Sequence, residues 1–368
     1  MNRKYGTAVL HTEWSNGWGG QERRILAEMV GMNARGFRQI LACRPECRLG
    51  LEAEAAGIVV HHVPFRGKFD FGSINRIVQL IRADNVSLVN THSGIDSWVG
   101  GMAARWAGVR LIRTRHLNLP LKRTPLNFVH YLPHSVVTCG EAMRLQLIAA
   151  GFPANEVRSI PTGIDFEHFR PTLSRRDARH HLGLSDDDFA IVMVGIIRGV
   201  KRHELAIRAF QQFRQEHPEG HLILAGDGPM LDAMKELAHE LGQGEHVLFL
   251  GHRQDVPDVL AAADCFLLTS RSEGVPQAVT QALGASIPVV ATRVGGVPEL
   301  VHDGETGLLV EPESTAQVSE ALARIAEDRS LGQKLGINGR NHVLAHYSLD
   351  AMLDATEKLY GELAGGAA

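Results

Sequence analysis

Short β-branched and aliphatic runs alternate with helix-length amphipathic stretches from one end of this sequence to the other. That alternation describes parallel sheets covered by helices on both faces. In the first half the predicted strands are 7–11, 39–43, 58–63, 86–91, 109–115, 135–139 and 157–160. In the second they are 189–194, 221–225, 246–250, 264–268, 287–291 and 307–310. Two similar α/β series predict two Rossmann-like, doubly wound domains facing a cleft.

The stretch PTGIDFEHFRPTLSRR interrupts the alternation with two prolines, a glycine and little periodicity, so the boundary is expected near residues 165–175. The expected division is 1–170, 171–345, and a final helix with its tail, 346–368, packing on the assembly. Helix 202–216 shows the pattern: Ala206, Ala209, Phe210 and Phe213 form one stripe, while Arg208, Gln212 and Gln215 face water. Over 349–360, Met352, Leu353, Thr356, Leu359 and Tyr360 fall near one face, with Ser348 as the predicted cap.

Composition narrows the class. With 368 residues, 44% of them hydrophobic, the chain can bury two cores of ordinary size, which excludes a disordered or fibrous protein. Cys43, Cys47, Cys139 and Cys265 are too few and too scattered for a disulfide framework, so a reducing compartment is expected. The start MNRKYGTAVLHTEW becomes polar after a short apolar run and offers neither a secretory nor a spanning segment. A cytoplasmic protein, peripheral at the inner face of the cytoplasmic membrane, is the expectation. The net charge of −3 hides an asymmetry: residues 1–170 hold 21 Lys/Arg against 13 Asp/Glu, a net +8, and the remainder is −11. Segment 97–140 has six bases and no acid. Such a field attracts an anionic acceptor or a membrane surface, or is ordinary solvated charge. It lacks the interleaved aromatics of a nucleic-acid site, so no nucleic-acid partner is expected.

Four loops at predicted strand ends carry candidate chemistry. In WSNGWGGQE, residues 14–22, Gly17, Gly19 and Gly20 permit close backbone approach before a helix start, or simply make a tight turn. Gly226 and Gly228 in AGDGP allow the same two readings. In VGIIRGVKRH, residues 194–203, Arg198 and Lys201 set two cations at a helix start, against its dipole, which favours a bound phosphate. In SEGVPQAVTQALG, residues 272–284, Pro276 suits a first helical turn and the backbone of Gly274, Val275, Pro276 and Gln277 turns toward an anion. Glu273 would repel that anion unless it holds sugar hydroxyls beyond the phosphates, and Gln277 and Gln281 share a helix side toward a ribose or base. His92 and His116 follow first-half strands and either meet a sugar or acceptor or satisfy backbone groups. Arg113, Arg115, Lys122 and Arg123 are expected on the acceptor side. The run Asp186, Asp187, Asp188 precedes a strand, away from its ligand-binding end, and reads as an acidic turn; no metal is expected.

VGIIRGVKRH, LILAGDGPM, SEGVPQAVTQALG and TRVGGVPELVHDGETGLLVEP, with GGQE at 19–22 and PTGID at 161–165, resemble the retaining glycosyltransferases of family 4, of GT-B fold. The resemblance implies a nucleotide diphosphate-sugar donor held mainly by the second domain, a saccharide or glycolipid acceptor on the first, and no divalent metal. It implies that Lys201 contacts donor phosphate, Glu273 the transferred sugar, His116 the reaction centre, and Gly19 and Gly20 the diphosphate. Two departures stand out. The family's usual arginine after the first strand of the second half is Ile196 here, with Arg198 as the compensating cation, and its second glutamate is Gln281. The variant resembles a subgroup associated with lipopolysaccharide and surface-polysaccharide assembly. Competing readings are a nucleotide-sugar epimerase or hydrolase, which needs an acidic base or nucleophile at the reacting carbon, and a non-catalytic sugar-binding protein.

Overall fold

Each aliphatic run becomes a parallel strand in the computed structural model, which describes residues 6–116 and 125–365. The chain forms two units, one holding the residues up to Gly163 and from Leu349 onward, the other Ile164–Ser348.

In the first unit the strands are β1 (Ala8–Glu13), β2 (Arg38–Cys43), β3 (Val59–His62), β4 (Val86–Thr91), β5 (Arg110–Arg115), β6 (Ser135–Thr138) and β7 (Val157–Ser159). They lie in the order β3-β2-β1-β4-β5-β6-β7, so the direction of winding reverses between β1 and β4. Helices α1 (Gly20–Ala34), α2 (Arg48–Ala55), α3 (Phe71–Ala83), α4 (Gly94–Ala107) and α5 (Glu141–Ala149) connect them. Successive β1 residues enter opposite cores. Leu10 packs with Ile40, Val89, Ile74 and Val99, whereas Val9 packs with Leu88, Ile112 and Met32. This two-faced burial explains the unbroken aliphatic runs in the sequence.

The second unit begins with α6 (Arg175–His181) and β8 (Phe189–Val194), followed by α7 (His203–Phe213), β9 (Gly220–Ala225), α8 (Leu231–Glu240), β10 (Val247–Gly251) and α9 (Val256–Ala261). Then come β11 (Cys265–Leu268), α10 (Gln277–Gly284), β12 (Val289–Thr292), α11 (Val297–Leu300), β13 (Leu308–Val310), α12 (Thr315–Glu327) and α13 (Arg329–His346). The strand order is β10-β9-β8-β11-β12-β13, with its switch point between β8 and β11. Ile191, Met193 and Leu224 meet Phe210 and Phe213 on one face; Val192, Phe266 and Leu268 meet Val279 and Leu283 on the other.

The crossing point lies at Gly163/Ile164, before the expected 170/171. The prolines and glycine of 161–171 do break the periodicity, but the segment is stitched to the second unit. Ile164 N–H donates to Tyr347 O at 2.9 Å, Phe166 and Phe169 pack on that unit's core, and Asp258 accepts from the amides of Thr172 and Leu173. The last helix, α14 (Leu349–Gly365), belongs to the first unit, where Met352, Leu353, Leu359 and Tyr360 fill the core beneath Val9 and Ile112. The tail beyond Gly365 lies outside the described residues. All four cysteines are buried and free. No described helix is long and apolar enough to cross a membrane.

Trp14, Trp18, Trp98 and Trp106 all fall in the first unit, so tryptophan fluorescence reports its unfolding alone. Leu353→Ala should destabilise that unit by about 2–5 kcal/mol, the usual cost of emptying a buried leucine site. Urea titration followed by fluorescence should show the midpoint fall; an unchanged midpoint would mean that α14 contributes nothing to the first core.

Candidate functional site

The carboxyl ends of β8 and β11, at the second unit's switch point, carry the donor-side candidates. After β8 the chain runs through Gly195 and Ile197 into a short 3-10 turn, Gly199–Lys201. Arg202 follows in the left-handed region at φ 55°, and α7 then begins. Thr269, just past β11, ties this turn down by donating to the carbonyls of Lys201 (3.1 Å) and Arg202 (2.9 Å), while Arg271 N–H donates to Val200 O at 2.8 Å. The two strand-end loops are thereby locked together, and their side chains meet: Lys201 Nζ donates to Glu273 Oε1 at 2.7 Å. Ser270 Oγ donates to the same oxygen at 2.5 Å. Both side chains are largely withdrawn from water, at 15% and 12% exposure, so their mutual attraction is screened less than that of a surface pair. Behind them His203 is buried, and burial together with the Lys201 charge pushes its pKa down to about 4, leaving a neutral ring.

Arg198 stands exposed at the start of the 3-10 turn. Pro276 caps α10 from just outside, so the helix starts at Gln277, one residue later than the sequence suggested. Gln277 and Gln281 are half-buried on this helix, one turn apart. The glycines of AGDGP have another task. A Cβ on Gly226 would lie 1.9 Å from Gly195 O, and one on Gly228 would lie 2.4 Å from Ile197 O. Main chain against main chain, they buttress the β8 loop from behind, the structural one of the two readings the sequence allowed.

In the first unit the glycine loop closes on itself. Glu22 accepts from Gly19 N–H (2.8 Å) and Ser15 Oγ (3.1 Å), and Ser15 Oγ also accepts from Gly17 N–H at 2.9 Å. The Gly19 amide, expected to face a diphosphate, is therefore committed to capping α1, which opens at Gly20. Beneath the loop, Glu13 ends β1 fully buried and accepts from Ser15 N–H (2.7 Å), Gln21 Nε2 (2.5 Å) and Ser93 Oγ (2.9 Å). Asp96, also fully buried, takes the amides of His92 and Ser93 at 2.7 and 2.9 Å. Burial and the neighbouring Asp96 push the Glu13 pKa up to about 8, and burial raises that of Asp96.

Beside this pair runs a file of three imidazoles. Gln39 Oε1 lies 2.9 Å from His11 Nε2, His11 Nδ1 lies 2.9 Å from His92 Nε2, and His92 Nδ1 lies 3.0 Å from His116 Nε2. The far nitrogen of His116 is 3.7 Å from Cys139 Sγ. Burial lowers all three pKa values, those of His92 and His116 well below the usual histidine range. At the other end Tyr360, on α14, donates to Glu28 at 2.8 Å and lies 3.4 Å from His11 Nε2.

The structure thus brings Lys201 and Glu273 into contact, and His92 and His116 into contact. His92, expected to meet ligand, is only 3% exposed with both nitrogens facing other histidines, so it reaches a ligand only through His116. Arg113 and Arg115 are not part of an open basic surface. Every β5 residue from Leu111 to Arg115 is buried, Arg113 faces His130 and is drawn to Asp96, and burial with the Arg113 charge pushes the Arg115 pKa down to about 10. Lys122 and Arg123 lie outside the described residues. Among the described residues no group of three or more His, Cys, Asp or Glu is arranged to hold a metal. Sequence reasoning missed His11, Glu13, Gln39 and Asp96. The available signal was polar residues inside runs whose burial on both faces calls for aliphatic ones, HTE in β1 and NTH at the end of β4.

Known proteins match both halves. Residues 18–168 match the family described as Glycosyltransferase Family 4, and residues 174–342 match Glycosyl transferases group 1. The Escherichia coli UDP-Gal:alpha-D-GlcNAc-diphosphoundecaprenol alpha-1,3-galactosyltransferase is 26% identical over 307 residues, 79% of either chain. The D-inositol 3-phosphate glycosyltransferase of Actinosynnema mirum is 28% identical over 97% of this chain and 95% of its own length. Anabaena HepE, crystallised with UDP, shares the fold at a TM-score of 0.87 and 20% identity, covering 97% of this chain and 100% of that one.

Glu13 makes a measurable contribution to pH dependence. Its folded pKa, about 8, exceeds its ordinary 4.5, so the folded state holds a proton that the unfolded state releases, and stability falls as pH rises through that window. The buried histidines give the opposite slope, because their folded pKa values are lowered, but only below about pH 6.5. From about pH 7 to 9 Glu13 should therefore contribute a loss of stability, set against the gain from Cys47, whose folded pKa is lowered to about 7, and Glu13→Gln should remove that loss and make the slope with pH more positive than the parent's. Urea midpoints by tryptophan fluorescence at both pH values test this; equal slopes in parent and variant would show Glu13 to be ionised throughout.

Proposed function

The chain is a GT-B-fold glycosyltransferase that draws its sugar from a nucleotide diphosphate, and on that premise we propose that it transfers a hexose-type sugar with retention at the anomeric carbon. The acceptor is a saccharide or glycolipid in lipopolysaccharide or surface-polysaccharide synthesis. The observation that carries the reading is the Lys201–Glu273 pair at the β8/β11 switch point, where open α/β sheets receive their ligands. A cation for a diphosphate and a carboxylate for sugar hydroxyls sit side by side there, on loops locked by Thr269.

In the reaction, Lys201 and Arg198 stabilise charge growing on the departing diphosphate as the sugar carbon becomes oxocarbenium-like. Glu273 holds the sugar by its hydroxyls. The α10 start at Gly274, Val275, Pro276 and Gln277, with Gln281 one turn on, holds the nucleotide part. The acceptor attacks from the face the diphosphate leaves, and the leaving phosphate takes its proton. This suits a site whose carboxylate is already engaged by Lys201 and Ser270 better than the two opposed carboxylates of a hydrolase. On the acceptor side we assign His116 to a hydroxyl contact at the reaction centre, and Lys122 and Arg123 to guiding an anionic acceptor. The enzyme works in the cytoplasm, touching the anionic inner face of the membrane transiently. The name of the 26% identical Escherichia coli relative, whose acceptor is a diphosphoundecaprenol-linked sugar, supports a lipid-borne acceptor.

A donor screen with UDP-, GDP- and ADP-sugars, followed by NMR of the product's anomeric configuration, tests class and stereochemistry; an inverted product defeats retention. Glu273→Gln should lower kcat by about a hundredfold while nucleoside diphosphate affinity stays within about twofold of the parent. Lys201→Ala should weaken nucleoside diphosphate binding as well as turnover. Parental transfer by either folded variant would remove that residue from its role.

A further inference from the structure

Each hydrogen bond in the buried imidazole file fixes the proton of the next. Gln39 Nε2 donates to Phe37 O at 3.1 Å, and a carbonyl can only accept, so the Gln39 amide cannot be turned over: its oxygen faces His11. His11 Nε2 must then carry the proton. A neutral His11 leaves a lone pair on Nδ1, so His92 must donate to it from Nε2. The same step repeats: His92 Nδ1 accepts, and His116 donates to it from Nε2. Tyr360 agrees with this direction, since its hydroxyl proton is spent on Glu28 and its oxygen can only accept from His11.

We propose that Gln39, His11 and His92 are positioning residues that hold His116 as the Nε2–H tautomer, which makes its Nδ1 a fixed hydrogen-bond acceptor for a substrate hydroxyl. None of the three need touch substrate. The inference rests on the proposed glycosyl transfer for its purpose, and on the geometry alone for its content.

Reversing the file requires a second proton on His11, which is fully buried. The groups around the file are Glu28 and Tyr360 at the His11 end and Arg24 at the other, where its guanidinium donates to Cys139 Sγ at 3.3 Å. That cation opposes a proton on His116, in step with the low pKa values of His92 and His116. His116 is thus barred from acting as an acid. A hydroxyl meeting its Nδ1 donates, which orients the hydroxyl oxygen's lone pairs away from the ring, while Nε2 stays anchored to His92. Cys139 does not compete strongly: at 3.7 Å its contact is long, and its own proton has the Arg115 carbonyl at 3.2 Å.

The test uses the full chain labelled with 15N-histidine. Long-range 1H–15N spectra near pH 7.5, with His116→Asn to assign the signals, should show His116 protonated on Nε2 and bare on Nδ1. Gln39→Met, which keeps the length but removes the acceptor, should give mixed His116 tautomers and lower kcat about tenfold, with donor KM within about twofold. Gln39→Glu keeps an acceptor toward His11 and should restore the single tautomer and most of the rate. An Nδ1–H or doubly protonated His116 in the parent overturns the proposal. So does a Gln39→Met variant in which tautomer and kcat fail to change together. The parent spectrum needs no substrate and no Gln39 variant, so it stands even if Gln39→Met misfolds or no transfer is detected.

Discussion

A strand buried on both faces can carry a polar side chain only where a partner meets it, and the first unit is built around that constraint. Half of β1 is polar: His11, Thr12 and Glu13 are all completely buried. Left unpaired, each would cost about 1–3 kcal/mol or more. The partners come from every neighbouring element: Gln39 on β2, His92 after β4, Asp96 on α4, and Gln21 on α1. Tyr360 of α14 joins from the far end of the chain. These bonds require β1 to lie between β2 and β4, the point at which the sheet reverses its winding. Strand order and polar site in this unit are one arrangement.

The second unit meets the same need differently. Its central strand β8 is wholly apolar, FAIVMV, and the polar groups begin only beyond its end. Lys201 and Glu273 are loop residues, held by Thr269 to main-chain carbonyls and by close-packed glycines. A Cβ on Gly295 would fall 1.8 Å from Glu273 O, so the loop after β12 rests directly on the main chain that carries the carboxylate. Loops fixed on this many sides can hold two opposite charges at 2.7 Å without a rigid strand beneath them.

This difference sets what was legible in the sequence. Loop chemistry is written locally: VKRH and SEGVPQ show charge, glycine and proline within a few residues, and both loops were singled out from residue types alone. All thirteen strands among the described residues were legible for the same reason, each being a self-contained aliphatic run. The imidazole file was not, because its logic is pairwise across the fold: His11 contacts residues 28 and 81 positions away, and Tyr360 is 349 positions from His11. Arg113 and Arg115 misled in the opposite sense. Their charge suggested surface, while their place on β5, next to the switch-point strand, put them inside. The boundary shifted because proline and glycine mark where periodicity stops, whereas membership of a unit is decided by what Phe166 and Phe169 pack against.

Residues 171–368 carry a net −11, an unfavourable field for a diphosphate, and one or two cations do not reverse it at long range. What works at short range is a cation already stripped of most of its water. Lys201 is in that condition because Glu273 holds it, and Glu273 tolerates its own burial because Lys201 and Ser270 hold it. On the proposed function, a donor brings an anion for the first and hydroxyl donors for the second. Each member of the pair can then change partners without passing through a bare, buried charge. A lone lysine would have to lose its water as the diphosphate arrived, and a lone glutamate would repel it. On that function the pair, fixed in place by Thr269 and the loop after β12, gives a net-negative unit a desolvated cation with which to receive a doubly anionic ligand.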